Sequence, residues 1–417
     1  MSESQPISFD GALGRQIIEL HVWAVRQGLL GTAASELFDG FCQRLVEAGL
    51  PLWRAYAAMR TLHPQWGGYG YTWQRELNAI EPVQYGRGDG PNWATSPFAY
   101  LLDQARAGGE EHNPWRHLRR HLTGREAQLD FPVLEELAAA GGSDYFAQIV
   151  RFGAEGDLSH GTGIAYSFAI DRPGGFRDDD LALLKAVLPA LSLAMMTHAG
   201  HTIASSLLGA YLGDDAGRRV HAGAVERGSV ESIRAALWFA DVRSFTTLAD
   251  STPGLEVIAL LDDIFETLTA PLRSRGGQVL KFMGDGMLAI FPLRAETQAA
   301  TCRNAIDAAR EAMHALDRLN CARAEASKPV AEVDLALHIG EVLYGNVGAA
   351  DRLDFTVIGP AVNEAARIET LCEPLGRKVL VSAEFAAAAG SCNGLQPLGY
   401  HRLRGVREPR AIYGLDV

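Results

Sequence analysis

The sequence predicts an α+β chain of two domains, and three observations carry that reading. Its 417 residues correspond to two or three domains at about 100–200 residues each. Hydrophobic residues make up 47% and charged residues 21%, enough apolar material for real cores and too little charge for disorder. Near residue 230 the texture changes from an irregular first half to a regular succession of strand and helix patterns. The expected organisation is an N-terminal α/β domain over residues 1–200, a connector over 201–230 and a second domain over 231–417.

The elements follow in order. Ile17, Leu20, His21 and Ala24, then Leu37, Phe41 and Leu45, recur at helical spacing, and Pro51 suits the first residue of a third helix. From Trp66 to Trp93 the glycines and aromatics (Gly67, Gly68, Tyr69, Tyr71, Trp73) predict a loop or a twisted strand. Residues 144–152 and 163–170 are rich in β-branched and aromatic side chains and predict two strands. Asp178, Asp179 and Asp180 then supply cap and first-turn charge to a long helix whose stripe is Leu181, Leu184, Val187, Leu188, Leu191 and Met195. Strand, strand and long helix is similar to the closing half of a GAF-type sensor domain over about 60 residues, which implies a partner for that stripe. Gly213, Gly217, Gly223 and Gly228, mixed with Asp and Arg, mark the connector. Beyond it come a strand at 235–240, helices through Thr247 and over 255–272, a hairpin at 278–291 and a helix at 296–319. Strands at 333–338, 342–347 and 355–358, a helix at 361–371 and closing strands from Lys378 complete the chain. The order β-α-α-β-β-α-β is that of a ferredoxin-like unit.

Charge and cysteine usage exclude several classes. Thirty-eight Lys plus Arg against 50 Asp plus Glu give a net charge of −12, which argues against a nucleic-acid surface and leaves room for a nucleotide held through metal ions. Five cysteines (Cys42, Cys302, Cys321, Cys372, Cys392) form no CxxC pair and fit a reducing compartment. The N-terminus lacks a signal-peptide pattern. The most apolar stretch, Leu181 to Met196, holds Lys185 and Pro189 and is shorter than the roughly 20 residues of a bilayer span. The expectation is a cytoplasmic protein with no membrane span.

Three motifs carry chemistry. In Leu237-Trp238-Phe239-Ala240-Asp241-Val242-Arg243-Ser244-Phe245-Thr246 an apolar strand ends in a carboxylate and opens toward a helix. Asp241 there either caps the helix or holds a divalent cation beside a phosphate. Lys281-Phe282-Met283-Gly284-Asp285-Gly286-Met287 reads as a tight hairpin that sets Asp285 at its turn and a lysine inside an apolar strand. Two aspartates at neighbouring strand ends suit paired cations, and oxygen ligands favour magnesium. In Phe355-Thr356-Val357-Ile358-Gly359-Pro360-Ala361-Val362-Asn363-Glu364-Ala365-Ala366-Arg367-Ile368-Glu369, Asn363 and Arg367 are four apart on one helix face.

Together with Leu337-His338-Ile339-Gly340-Glu341-Val342-Leu343-Tyr344-Gly345-Asn346-Val347-Gly348, these motifs resemble the catalytic domain of class III nucleotidyl cyclases over about residues 230–417. The resemblance implies a head-to-tail homodimer with shared active sites and an N-terminal half that regulates them in response to a small-molecule or protein signal. It implies that Asp241 and Asp285, with the Val242 carbonyl, bind two Mg²⁺ ions, with Mn²⁺ as a substitute. Phe245 and Thr246 match substrate-binding positions, Lys281 and Thr356 the base-selecting pair, Asn363 the ribose-orienting asparagine and Arg367 the transition-state arginine. Thr356 departs from the aspartate of many animal enzymes and is similar to bacterial members. Arg404, with Arg407 as its alternative, stands where the family commonly places a triphosphate lysine. Adenine offers N1 as an acceptor and N6 as a donor, which match the Lys281 ammonium and the Thr356 oxygen, whereas guanine would present N1–H to the lysine. The implied activity is ATP to cyclic AMP and pyrophosphate. The alternatives are a guanylate cyclase and a catalytically dead nucleotide-binding scaffold.

In the N-terminal half His117 and His121, four apart among Arg116, Arg119 and Arg120, read as a basic helix face or a metal-ligand pair. His63, beside Trp66, Tyr69, Tyr71 and Trp73, reads as part of an aromatic mini-core or as a contact for a flat ligand.

Overall fold

A computed structural model describes residues 11–64, 66–86, 93–107, 115–152, 163–390 and 394–417. The chain divides into two compact units, residues 1–207 and 208–417.

In the first unit the elements are α1 (Ala12–Leu29), α2 (Ala34–Glu47), β1 (Leu52–Arg60), β2 (Trp66–Gln74), β3 (Leu77–Gly86), α3 (Pro97–Ala107), β4 (Trp115–His121), α4 (Pro132–Ala139), β5 (Asp144–Arg151), β6 (Gly163–Ile170) and most of α5 (Asp178–Leu212). The strands form one antiparallel sheet in the order β3-β2-β1-β6-β5-β4. One face packs Phe38, Phe41 and Leu45 of α2 and Leu184, Leu188 and Leu191 of α5 onto Phe146, Tyr166 and Phe168. The other packs α3 and α4, through Leu101, Leu134 and Leu137, onto Tyr145, Ala147 and Ile149. Alternate residues of β5 feed the two cores, as the period of a strand buried on both faces requires.

The third helix expected from Pro51 is instead β1. Ala55, Ala57 and Met59 are buried at a period of two, and pairing with both β1 neighbours overrides the helix propensity of an alanine-rich segment. The basic helix expected at His117 and His121 is β4. Four residues of strand separate the two histidines by about 13 Å, too far for one ion. Tyr71 and Trp73 lie in the core, with Tyr69 packed against it. The apolar stretch at 181–196 belongs to a 35-residue helix that is long and apolar enough to cross a membrane, and half of its most apolar window is buried.

The second unit holds the end of α5, then α6 (Asp214–His221), β7 (Val230–Val242), α7 (Phe245–Ser251), α8 (Gly254–Ser274), β8 (Gln278–Met283), β9 (Gly286–Pro292), α9 (Gln298–Glu325), β10 (Val333–Gly348), β11 (Leu353–Ile358), α10 (Pro360–Glu369), β12 (Val379–Ser382), α11 (Ala383–Ala389), β13 (Leu395–His401) and β14 (Arg410–Leu415). Its sheet runs β13-β14-β12-β10-β7-β9-β8, with β11 paired to β10. The central β10-β7-β9-β8 segment is the ferredoxin-like arrangement. The two strands expected at 333–338 and 342–347 are one strand, because β10 pairs with β7 without a break from Val333 to Gly345. α8, α9 and α11 cover one face through Leu260, Ile264, Ala309, Met313 and Phe385. α6 and α10 cover part of the other, over Leu237, Leu288 and Val342. α10 comes down closely on β10: a Cβ at Gly340 would lie 2.4 Å from that of Ala361.

Candidate active site

The period of β7 decides where its carboxylate goes. Ala236, Trp238, Ala240 and Val242 enter the core under α8 and α9, so Asp241 emerges on the α10 face at the strand's end. On β10, Val333 and Leu335 enter that same core and Asp334 turns to the Asp241 side. The two are register partners, so like charges meet at cross-strand distance. Arg243 separates them, donating Nε to Asp334 at 3.0 Å and a second nitrogen to the other Asp334 oxygen, and it also pairs with Glu332. Asp285 sits in the two-residue turn between Met283 and Gly286, with Gly284 at φ +66°. Gly286 leaves the opening that brings the two together: a Cβ there would lie 2.9 Å from Asp241 Oδ1.

Burial and the neighbouring carboxylates set the electrostatics here. Burial first, and then the Asp285 charge, push the Asp241 carboxyl up to about 6. Glu369, buried at the C-terminal end of α10, is pushed up to about 8 by burial and then by Asp241, Asp334 and Asp285, with Arg243 opposing. Among the described residues no group of three or more His, Cys, Asp and Glu side chains is arranged as a metal cage. The donor set is thus two carboxylates and nearby carbonyls, which suits a hard cation that takes its remaining ligands from water and phosphate.

The other sequence-derived residues fall in three places. Lys281, on β8, forms an ion pair with Asp354 of β11, and Asp354 and Thr356 share the outer face of that strand because Phe355 and Val357 take the core. Asn363 is exposed on α10. Arg367, one turn on, lies beside the β13–β14 loop, its guanidinium 3.6 Å from where a Gly405 Cβ would be, so the loop bearing Arg404 and Arg407 borders it. Phe245 packs against the α8–α9 core and Thr246 is exposed. The residue before them, Ser244, is left-handed at φ 54°. Asp241, the penultimate residue of β7, thus lies three positions before the α7 cap at Ser244, and the capping alternative falls away. Among the described residues, no hydrogen bond or ion pair joins the Asp241–Asp285 pair to Asn363 or Arg367 within one chain.

Residues 229–412 match the family model described as the adenylate and guanylate cyclase catalytic domain. The second unit is a member of that family. Adenylate cyclase 1 of Rhizobium meliloti is 29% identical over 178 residues, which are 42% of this chain and 26% of that protein. An adenylate cyclase of Anabaena cylindrica is 31% identical over 162 residues, 38% of this chain and 31% of that protein. The match thus spans about a quarter to a third of the length of these relatives. Among solved structures, a bacterial light-regulated adenylyl cyclase is 27% identical with a TM-score of 0.38, covering 45% of this chain and 91% of that one. The guanylyl cyclase Cya2 is 25% identical with a TM-score of 0.39, covering 45% and 93%.

Four residues of the cyclase unit were missed from the sequence: Arg243, Asp334, Asp354 and Glu369. Arg243 stood in a quoted motif, but its partner is 91 positions away and only the β7–β10 register joins them. Asp354 had a local signal, since it shares a strand face with Thr356. In the N-terminal unit, His121 lies 3.6 Å from the fully buried Asp144, which Arg119 also grips, so this basic strand is tied to a structural carboxylate.

Proposed function

We propose that the chain is an adenylate cyclase converting ATP to 3′,5′-cyclic AMP and pyrophosphate, at sites shared across a homodimer and regulated by residues 1–207. The observation that carries this reading is the Asp241–Asp285 pair: burial first, and then the Asp285 charge, raise the Asp241 carboxyl to about 6, and a divalent cation would relieve that repulsion. These two side chains, with the Val242 carbonyl, would hold two Mg²⁺ ions, or Mn²⁺ in their place. Bound there, the ions supply charge neutralisation and lower the pKa of the ribose hydroxyl.

In the reaction the 3′-oxygen bonds to the α-phosphorus as the bond from that phosphorus to the β-phosphate bridge breaks. The pair of electrons leaves with pyrophosphate, and the hydroxyl proton passes to solvent. No protein nucleophile is needed, so the chain's contribution is positioning and charge. Asn363 orients the ribose, and Arg367 donates to the crowded phosphorus centre as charge builds there. Arg404, or Arg407 beside it, takes the terminal phosphates, with Phe245 and Thr246 flanking them.

Lys281 and Thr356 read the base. Lys281 favours ATP over GTP because guanine would set N1–H against the ammonium and leave buried donors unpaired. Among the described residues no hydrogen bond or ion pair joins the carboxylates to Asn363 or Arg367 within one chain, which supports a site completed by a second copy. Phe282, Leu343 and Ile358, exposed on the strands around Lys281, supply apolar surface for that contact. A nucleotide-binding scaffold without activity is disfavoured because every expected position is filled.

The test is cyclic AMP formation from ATP and Mg²⁺, with GTP in parallel. Asp241→Ala and Asn363→Ala proteins should each be silent and should regain activity when mixed. Two silent variants that stay silent together would overturn the shared site, and silence of the parent chain would overturn the enzyme.

A further inference from the structure

The exposed side of α1 carries a seam that the fold of the first unit does not use. Its buried face is Gly14, Ile17, Leu20, Ala24 and Gly28. A second apolar row, Ile18, Val22, Val25 and Leu29, is exposed at 44%, 63%, 51% and 84%. The intervals of four, three and four residues are those of the core positions of a coiled coil, so the four side chains line one stripe along the helix. A shallow groove lies along it, lined by His21, Val22, Val25, Arg26 and Leu29.

The stripe is held on a firm base. His21 Nε2 donates to the Ala186 carbonyl at 2.8 Å, and at Gly28 a Cβ would lie 2.9 Å from Ala194 Cα. Seven residues of α1 thus keep step with eight of α5, so the two helices run side by side and parallel. Leu193 and Met196, exposed on α5 beside that contact, widen the apolar surface. A contiguous apolar row of this size on a charged protein marks an interaction surface.

We infer that α1 pairs antiparallel with α1 of a second copy of this chain. The charges flanking the stripe select that occupant. In the heptad that places Val22 and Val25 in the core, Glu19 and Arg26 hold equivalent flanking positions, both exposed. Antiparallel pairing seats Val22 against the partner's Val25 and Ile18 against the partner's Leu29. It brings Glu19 opposite the partner's Arg26 twice, once on each side of the twofold axis. Parallel pairing would instead oppose His21 and the partner's Arg26. A surface that complements itself under a twofold fits a second copy better than an unrelated helix.

The experiment uses the full chain with Cys321→Ser and Cys392→Ser, since Cys42, Cys302 and Cys372 are buried. Val22→Cys and Val25→Cys proteins are made separately, mixed and oxidised. Cross-linked dimer should form in the mixture about tenfold faster than in either protein alone. On the mixed pair, Glu19→Arg or Arg26→Glu should slow cross-linking about tenfold, and the two together should restore it to within about twofold. No excess in the mixture, or self-linking of Val22→Cys at the mixed rate, overturns the antiparallel pair, as does a double charge swap that fails to restore it. All these positions are on the surface, so unchanged thermal unfolding of each variant separates loss of pairing from loss of fold.

Discussion

Asp334 stands directly opposite Asp241 in the β7–β10 ladder, and the guanidinium of Arg243 grips the first while leaving the second open. This division gives two neighbouring carboxylates different tasks. Asp334, 4% exposed, is committed to a structural ion pair, and Asp241 is left beside Asp285, with no ion pair to a cation among the described residues.

Breaking the pair should therefore cost stability rather than merely activity. Arg243→Met leaves Asp334 as a buried unpaired carboxylate and should lower the unfolding free energy by about 3 kcal/mol at pH 7. Arg243→Met with Asp334→Asn should recover most of the loss. Urea unfolding of the three variants decides it. A single-variant cost below about 1 kcal/mol would mean that the pair is no more than a surface contact.

The raised Asp241 carboxyl makes a pH prediction with a definite sign. Its folded value of about 6 lies above the ordinary carboxylate value, so between about pH 4 and 6 the folded state binds more protons than the unfolded one. Stability without metal should fall as pH rises through that window. Magnesium, held as proposed by the ionised form, should reverse the slope. Activity at subsaturating magnesium should show an acid limb with its midpoint near pH 6, moving to lower pH as magnesium is raised. A midpoint indifferent to magnesium would remove Asp241 from the metal site.

Glu369, the last residue of the third motif, extends the argument to a side chain to which the sequence assigned no role. Its carboxyl is raised to about 8, first by burial and then by Asp241, Asp334 and Asp285, so at pH 8.5 the folded protein holds a carboxylate it disfavours. Glu369→Gln should stabilise the metal-free protein there by about 1 kcal/mol and do little at pH 5, where the side chain is neutral in the folded state. Melting at the two pH values, with EDTA present, tests it.

Two glycines set the site's geometry through the space they leave. Gly286→Ala drives a methyl to within 2.9 Å of Asp241 Oδ1, and Gly340→Ala drives one to within 2.4 Å of the Ala361 Cβ. The first should reduce kcat about tenfold or more with little change in melting, because the displaced group is the carboxylate proposed to hold the metal. The second lifts α10, which carries Asn363 and Arg367, and should cost about 1–3 kcal/mol of stability as well as activity. Equal effects on melting would refute the distinction.

The legibility of this chain follows the range of the interactions that fix each part. The local settings of Asp241, Asp285, Asn363 and Arg367 were readable because a strand end, a hairpin turn and a helical spacing of four are local patterns. β5, β6 and α5 were readable for the same reason. β1 was not: Pro51 and an alanine-rich run favour helix locally, and only pairing on both sides makes a strand of it. The same holds for β4, where Arg119 reaches Asp144 from a strand face. β10 was split in two because Gly340 reads as a break, whereas its missing side chain is what admits α10. Arg243 with Asp334, and Lys281 with Asp354, join residues 91 and 73 positions apart, beyond any local pattern.

The last of those pairs bears on base selection. Lys281 and Asp354 are both about half exposed, so their ion pair adds little to stability and its consequence lies in where it holds the ammonium. Lysine has a long, flexible stem, and an unfixed ammonium would spend much of its time away from the base. Asp354→Ala should therefore raise KM for ATP about tenfold with a smaller change in kcat and no change in melting, while lowering the preference for ATP over GTP. Asp354→Asn keeps an acceptor and should fall between the two, whereas Lys281→Glu should favour GTP by offering an acceptor to guanine N1–H. Initial rates with both nucleotides give all four numbers. If Asp354→Ala leaves KM and the nucleotide ratio unchanged while Lys281→Glu alters them, the lysine reads the base without help from the aspartate.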